Sequence, residues 1–266
     1  MRGLLVLGAV ALAAAACAGT DGSSVGGENP GRDRSGSTDA TGDTGASRDT
    51  DATATTTTRP PTGSGQAVTL AFAGDTNFNN QLGALRSSPG TVLSAIAPTL
   101  SAADVTMLNL EAALGTGGSP QPKKFTFQVP AQAIDAVKAA GVDVVTMANN
   151  HGMDFGPVGF ADSLRIKRES GFPILGIGAD DTEAYTPWVT EAKGQRIGFI
   201  GANDIFDDNL RSAWTAAPGH PGLASAEEAH QERLAQEVRT LRPEVDTLVV
   251  FLHYGTETQL CPNARQ

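Results

Sequence analysis

The stretch Val144-Val145-Thr146-Met147-Ala148-Asn149-Asn150-His151-Gly152-Met153-Asp154 decides how the rest of this chain reads. An apolar run breaks at once into two carboxamides and an imidazole. A buried strand ends that way when those groups face something polar at its carboxyl end, the place where α/β sheets hold their ligands. Asn150 offers a neutral oxygen to a hard cation, and His151 beside it offers a proton. Taken alone, the same residues also describe an ordinary Asx turn after a strand.

Working outward, apolar runs alternate with helical periods. A first strand is predicted over 67–73, running straight into Gly74-Asp75-Thr76-Asn77. A helix over 91–102 follows, with Val92, Leu93, Ile96 and Leu100 on one face. The next strand, 105–110, ends at Glu111. Beyond a Gly- and Pro-rich loop come a short apolar run, 125–129, and a helix over 131–140 closed by Gly141. The strand 142–148 carries Asn149, Asn150 and His151, and the helix after it, 157–170, has Pro157 at its start and Gly171 at its stop. A short strand at 174–177 precedes a hairpin pairing 188–191 with 196–200. Ser225 is expected to cap a long helix reaching 241, with Glu228 in the reciprocal capping position. A last strand, 246–252, delivers His253.

Alternating strands and helices predict an α/β fold with a mainly parallel sheet and a hairpin elaboration. Four apolar runs end, within a residue or two, in a potential metal ligand: Asp75, Glu111, Asn150 and His253. Parallel strands bring such ends to one edge of a sheet. Carboxylate oxygens with an imidazole nitrogen suit Mn²⁺, Fe or Zn²⁺, and a bridging carboxylate holds two such ions about 3.5–4 Å apart. On this reading Asp75 binds one ion, Glu111 bridges, Asn150 and His253 complete the second, and His151 protonates a leaving group. Asn77, Asn109, Asn149 and Asp154 are expected to stand behind the ligands. Asn149 shapes the turn, and Asp154 either orients His151 or caps the helix that follows. His220 and His230 read as surface, as do Asp204, Asp207 and Asp208 in an acidic loop after the hairpin. Lys123 and Lys124, in the loop before Phe125, meet a polyanionic substrate or form a solvated pair. The glycines at 176 and 178 do not have dinucleotide-binding spacing, and no Gly-x-Ser-x-Gly elbow is present.

The composition narrows the partners. The chain has 266 residues, 40% of them hydrophobic, and a formal net charge of −10. That length suffices for one domain with a sizeable core or two small ones, and the acidic balance argues against nucleic acid. Residues 1–17 read as an export signal: Arg2, an apolar run too short for a comfortable membrane span, then Ala14-Ala15-Ala16-Cys17. A cysteine there is similar to a lipoprotein lipobox, with Ala14 where Leu is more usual, so Cys17 is expected to be lipidated and to anchor the protein to the outer face of the cytoplasmic membrane. Residues 18–66, rich in Gly, Ser, Thr and Asp, read as a flexible tether between that anchor and a folded domain over 67–266. With Cys17 acylated, Cys261 is expected to be a free structural thiol.

The ordered motifs carry a resemblance. Gly74-Asp75, Asn109-Leu110-Glu111, Ala148-Asn149-Asn150-His151 with Asp154 and Gly156, and His253-Tyr254-Gly255 with Glu257 resemble those of the CapA family. These are capsule and poly-γ-glutamate synthesis proteins related to calcineurin-like metallophosphatases. Trp214 before Pro218-Gly219, and Cys261-Pro262 with Arg265-Gln266, are also similar to family features. The resemblance runs from 67 to 266 and implies a metallophosphatase-like four-layer α/β/β/α sandwich in an exported, membrane-attached protein. By motif, Asp75 matches the first-strand aspartate, Glu111 the bridging carboxylate, Asn150 and His151 the Asn-His pair, and His253 a later ligand. Lys123 and Lys124 resemble a basic position, which implies an anionic polymer such as poly-γ-glutamate.

Two departures follow. Metallophosphatases carry Asp-x-His on the first strand where this chain has Asp75-Thr76-Asn77, which predicts weaker binding of the first ion. The family's His-rich segment would lie beyond Gln266, so the sequence is expected to be C-terminally truncated, with sheet and metal site incomplete. Two functions are expected from this: a metal-dependent hydrolase serving capsule or poly-γ-glutamate synthesis, or a membrane-tethered accessory subunit that binds polymer or synthase without chemistry.

Overall fold

Apolar side chains on both sides of each central strand demand cover on both faces, and the structure supplies it in four layers. It is a computed structural model that describes residues 63–256, 259 and 261–266. The export signal, Cys17 and the tether up to residue 62 lie outside the described residues.

The first sheet is wholly parallel. It contains β1 (Leu70–Thr76), β2 (Val105–Leu110), β3 (Val144–Thr146) and β4 (Ile174–Leu175), in that spatial order. Every residue of β2 is buried, as a central parallel strand requires. The second sheet holds β5 (Trp188–Ala192), β6 (Gln195–Asn203) and β7 (Thr247–His253), with β6 in the middle, antiparallel to β5 and parallel to β7.

Side-chain alternation sorts the core into layers. Val105 and Met107 of β2, Val144 and Leu175 pack against Ile197 and Phe199 of β6, with Val249 and Phe251 of β7 partly buried among them; this is the seam between the sheets. The opposite parity, Leu108, Leu110, Val145 and Ile174, faces helices α1 (Gln132–Ala139) and α2 (Gly156–Ser170) through Ile134, Val137, Phe160 and Leu164. On the far side, Ile200 and Val245 pack against Leu241 of α3 (Gln231–Leu241). The order is therefore helix, sheet, sheet, helix, the α/β/β/α layering that the resemblance implies. Gly201 of β6 lets the two sheets approach closely, because a Cβ there would sit 2.4 Å from Thr146 Oγ1 and 3.3 Å from Leu175 Cβ.

A bulge re-aims β1. Its register with β2 runs from Leu70 opposite Val105 to Ala73 opposite Leu108, skips Gly74, and resumes with Asp75 opposite Asn109. The extra residue moves Asp75 from the helix face to the seam face, where Asn109 lies.

Several expected elements are corrected. The first strand begins and ends three residues later than predicted and includes Asp75. The helix expected over 91–102 is broken into a 3₁₀ turn, Pro89–Thr91, and a single helical turn, Ala97–Leu100, because Pro98 restricts the residue before it and removes a donor. The strand expected at 174–177 is two strands in different sheets. Gly176, at φ 79°, turns the chain so that Ile177–Gly178 pairs antiparallel with Gly222–Leu223. Ser225 does not cap α3. Its amide and carbonyl are both held by the Tyr185 hydroxyl, its side chain accepts from Glu227 N, and α3 starts only at Gln231. Cys261 is not a free thiol, since the structure has it disulfide-bonded; the expectation rested on the fate of Cys17.

Replacing Gly201 by Val should force the sheets apart and lower stability by about 1–3 kcal/mol, the usual range for overpacking. The shift in the urea midpoint measures it, and an unchanged midpoint would mean that the seam relaxes freely.

A candidate metal centre where the two sheets meet

The seam opens at the carboxyl ends of β1, β2, β3 and β7, and there the apolar alternation gives way to polar side chains of the same parity. Asn109 continues the face of Val105 and Met107, and His253 that of Val249 and Phe251. Asp75 reaches the same space through the bulge at Gly74. Glu111 stands one residue past β2. One donor atom each from Asp75, Glu111 and His253 lie within 4.8 Å of one another. Asn150 joins them, its Oδ1 3.0 Å from His253 Nε2. Asp75 is half exposed, whereas Glu111 and His253 are 13% and 14% exposed, so the cluster opens to solvent on the β1 side.

Asn109, fully buried, organises the cluster. Its Nδ2 donates to Asp75 Oδ1 at 2.7 Å and lies 3.1 Å from His253 Nδ1, while its Oδ1 accepts from Asn149 Nδ2 at 2.9 Å. Both ring nitrogens of His253 are thus engaged, Nδ1 by this amide and Nε2 by Asn150 Oδ1, and an ion bound by the imidazole would take the place of one of these contacts. Asn149 has its own partners in full. It donates to Leu110 O at 2.9 Å and accepts from His151 N at 2.9 Å, so it holds the turn together and meets the cluster only through Asn109.

His151 is buried beside this group, its Nε2 4.0 Å from Glu111 Oε1 and its Nδ1 2.6 Å from Asp154 Oδ2. Asp154 also accepts from Phe127 N at 2.6 Å, and the Phe127 ring lies 4.4 Å from the imidazole, centre to centre. Of the two roles open to Asp154, orienting His151 is the one observed; α2 begins at Gly156 with no side-chain cap.

The charges crowd one another. Glu111 is raised from 4.5 to about 6, first by burial and then by the negative charge of Asp75, with His151 and Lys123 pulling the other way. Burial pushes His253 down, against the pull of Asp75 and helped by His151 and Lys123. Without a cation, the site thus favours neutral forms of two of its own donors. Two carboxylates, an imidazole and an amide oxygen fit one divalent ion of the Mn²⁺, Fe or Zn²⁺ kind and leave coordination positions open.

Residues 69–266 match the family described as Bacterial capsule synthesis protein PGA_cap. The chain belongs to that family. Among curated relatives, the probable polyglutamine synthesis accessory protein of Mycobacterium tuberculosis is 26% identical over 161 residues, 58% of this chain and 42% of its own. The capsule biosynthesis protein CapA of Bacillus anthracis is 25% identical over 145 residues, 54% of this chain and 34% of its own. The chain thus spans less than half the length of these relatives. A phosphatase of known structure from Mycoplasma pneumoniae is similar over 72% of this chain and 57% of its own, at 16% identity and a TM-score of 0.41.

Within this PGA_cap domain the remaining residues singled out from sequence fall as follows. Asn77 Oδ1 accepts from Asn79 N at 3.1 Å in a local turn. Lys123 is not the surface group expected. Its side chain is 5% exposed and its ammonium donates to the Asn150 carbonyl, meets Asp154 Oδ1 at 3.0 Å and Asp207 Oδ2 at 3.2 Å. Lys124 alone stays at the surface, over the exposed ring of Phe125. The acidic loop is likewise corrected, because Asp204 accepts from Nε and Nη2 of Arg265 and Asp207 pairs with Lys123; Asp208 remains solvated, 92% exposed beside Arg211. His220 is exposed and His230 partly so. Asp207 and Phe127 were missed as neighbours of the site, and no spacing in the chain links either to His151 or Lys123. The bulge was legible in principle, since a glycine inside a strand run is its usual mark.

The raised Glu111 value fixes a pH dependence of the metal-free protein. Folding favours the protonated carboxyl, so this group's contribution is complete below the unfolded value of 4.5 and is lost as pH rises through about 6. Subtracting the stability curve of Glu111→Gln from that of the wild type should leave a decline between those two pH values. A rising difference would contradict the burial of this carboxylate.

Proposed function

We propose that this chain is the metal-binding part of a cell-envelope protein of capsule or poly-γ-glutamate synthesis, acting as a metal-dependent hydrolase on an anionic polymer or its precursor. The observation that carries the reading is the meeting of Asp75, Glu111 and His253 within 4.8 Å, with Asn150 Oδ1 3.0 Å from His253. Those four residues would hold the ion, which when bound supplies Lewis-acid polarisation of the bond to be cleaved. Membership of the PGA_cap family supports the envelope setting, and the printed names of the relatives support the polymer. Attachment through a lipid on Cys17 is part of the proposal and requires that thiol to be free of any disulfide with Cys261; among the described residues no helix is long and apolar enough to cross a membrane.

The chain's own residues have distinct tasks in this scheme. Asn109 holds Asp75 and His253 in place through one amide nitrogen. Asp154 would accept from His151 Nδ1–H and so support the imidazolium, whose Nε2–H faces the cluster and would pass to a departing oxygen or nitrogen, leaving the neutral ring with its proton on Nδ1. Phe127 and the buried loop exclude water from the inner side of that imidazole. Lys124, exposed beside Phe125, is the remaining basic contact for a polyanion.

A second reading has its own support. Asn77 stands where an imidazole would strengthen the first-strand ligand pair, and its side chain is engaged in a local turn. A protein that binds polymer as an accessory, without turnover, is consistent with that.

Metal analysis separates the readings from each other and from error. Purified protein should carry about one equivalent of Mn²⁺, Fe or Zn²⁺, and Glu111→Ala or His253→Ala should lower its affinity by at least about 10-fold; unchanged metal content in both variants removes the enzyme. His151→Gln should keep the metal and reduce turnover of poly-γ-glutamate by about 10²- to 10⁴-fold, the range for general-acid removal. Polymer binding with no turnover in the wild type selects the accessory role.

A further inference from the structure

The proposed donors straddle two sheets. Asp75 lies near the end of β1, Glu111 and Asn150 follow β2 and β3 of the same sheet, and His253 ends β7 of the second. Any ion held by all four depends on the relative placement of loops that belong to different layers. Asn109 ties the layers together inside the cluster; Lys123 does so from the outside.

Three contacts surround the Lys123 ammonium. The Asn150 carbonyl and Asp154 Oδ1, at 3.0 Å, belong to the loop after β3; Asp207 Oδ2, at 3.2 Å, belongs to the segment that leaves β6. That segment is itself fastened to the metal side of the second sheet, because Asp204 N donates to the His253 carbonyl at 2.9 Å. The Trp214 ring, 5.1 Å from Nζ to its centre, closes the remaining side. The ammonium donates a hydrogen bond to the Asn150 carbonyl, and the two carboxylate oxygens meet its charge from different loops. Asp154 depends on this cation in turn. It is fully buried, its Oδ2 is taken by Phe127 N and His151 Nδ1, and its Oδ1 has no aligned hydrogen bond and faces the Lys123 charge. Of the two carboxylates at the ammonium, Asp154 is enclosed and Asp207 is open to solvent at 38% exposure.

Resting on the metal reading above, we propose that Lys123 is a positioning residue of the centre: by clamping the Asn150 main chain and the Asp154 carboxylate to Asp207, it sets where the Asn150 oxygen lies relative to His253. It ligates nothing and touches no substrate. Groups that orient ligands from behind change metal affinity by about 10- to 100-fold when removed, whereas a lysine that only filled a buried space would alter stability and leave affinity alone.

Titration of the full chain with Mn²⁺ alone, followed by calorimetry, tests this, with the visible bands of the Co²⁺-loaded protein as a second readout of ligand geometry. Lys123→Met is expected to weaken Mn²⁺ about 10- to 100-fold and to shift the Co²⁺ bands. Lys123→Arg keeps the charge, but its planar fork cannot serve three acceptors set around a point, and should lie about 3- to 10-fold below wild type. Asp207→Asn should change affinity in the same direction by less than Lys123→Met. A folded Lys123→Met with wild-type affinity and Co²⁺ spectrum overturns the proposal. So does an unfolded Lys123→Met together with a Lys123→Arg of wild-type affinity, since any cation in that pocket would then suffice. Weakened Mn²⁺ binding in Glu111→Ala beside wild-type affinity in folded Lys123→Met defeats this inference alone; wild-type affinity in Glu111→Ala defeats the metal reading beneath it.

Discussion

One carboxamide without solvent exposure, Asn109, determines what the carboxyl edge of this protein can be. Its nitrogen serves an aspartate from β1 and a histidine from the other sheet, and its oxygen receives the side chain of Asn149. A buried amide with partners at both ends is a rigid joint, because losing any of them strands a polar group away from water. Through that joint the places of His253 and Asp75 are set before any ligand arrives.

Around it, the protein tolerates an arrangement that a stability argument alone would not favour. Glu111 and His253 sit where burial disfavours their charged forms, and Asp154 is wholly enclosed next to an imidazole and an ammonium. Of these groups, Glu111 and His253, with Asp75, are placed so that a divalent cation would relieve them together. The same crowding explains why the loop partners are cationic or neutral: Lys123 offsets Asp154, and the amides of Asn109, Asn149 and Asn150 add oxygen and nitrogen donors without adding charge.

The two-sheet architecture gives this edge its reach. A single parallel sheet would present its ligands in a row, whereas two sheets packed through Gly201 face one another across the seam, and a histidine from the second meets carboxylates from the first. The price of that reach is a dependence on inter-layer contacts, which explains why a buried lysine and a buried asparagine recur at the joints. The chain belongs to the PGA_cap family and spans less than half the length of the two curated relatives named above.

Much of this was written locally. Apolar runs ending in Asp75, Glu111, Asn150 and His253 announced parallel strands sharing an edge, because strand period and strand ends are properties of neighbouring residues. The closures at Gly141 and Gly171 were equally legible, as left-handed positions that favour glycine. Other features were not. Pro98 was overlooked inside an otherwise helical pattern, and Ser225 had the form of a cap yet was drawn away by the Tyr185 hydroxyl, a partner distant in sequence. The inward turn of Lys123, the pairing of Asp207 with it, and the shift of Asp75 onto the seam through a bulge all depend on which layers face each other. The sequence by itself therefore determined the class of fold and the identity of the polar strand ends. Only the tertiary structure decided which of them meet, because contacts between layers join residues whose spacing along the chain carries no period.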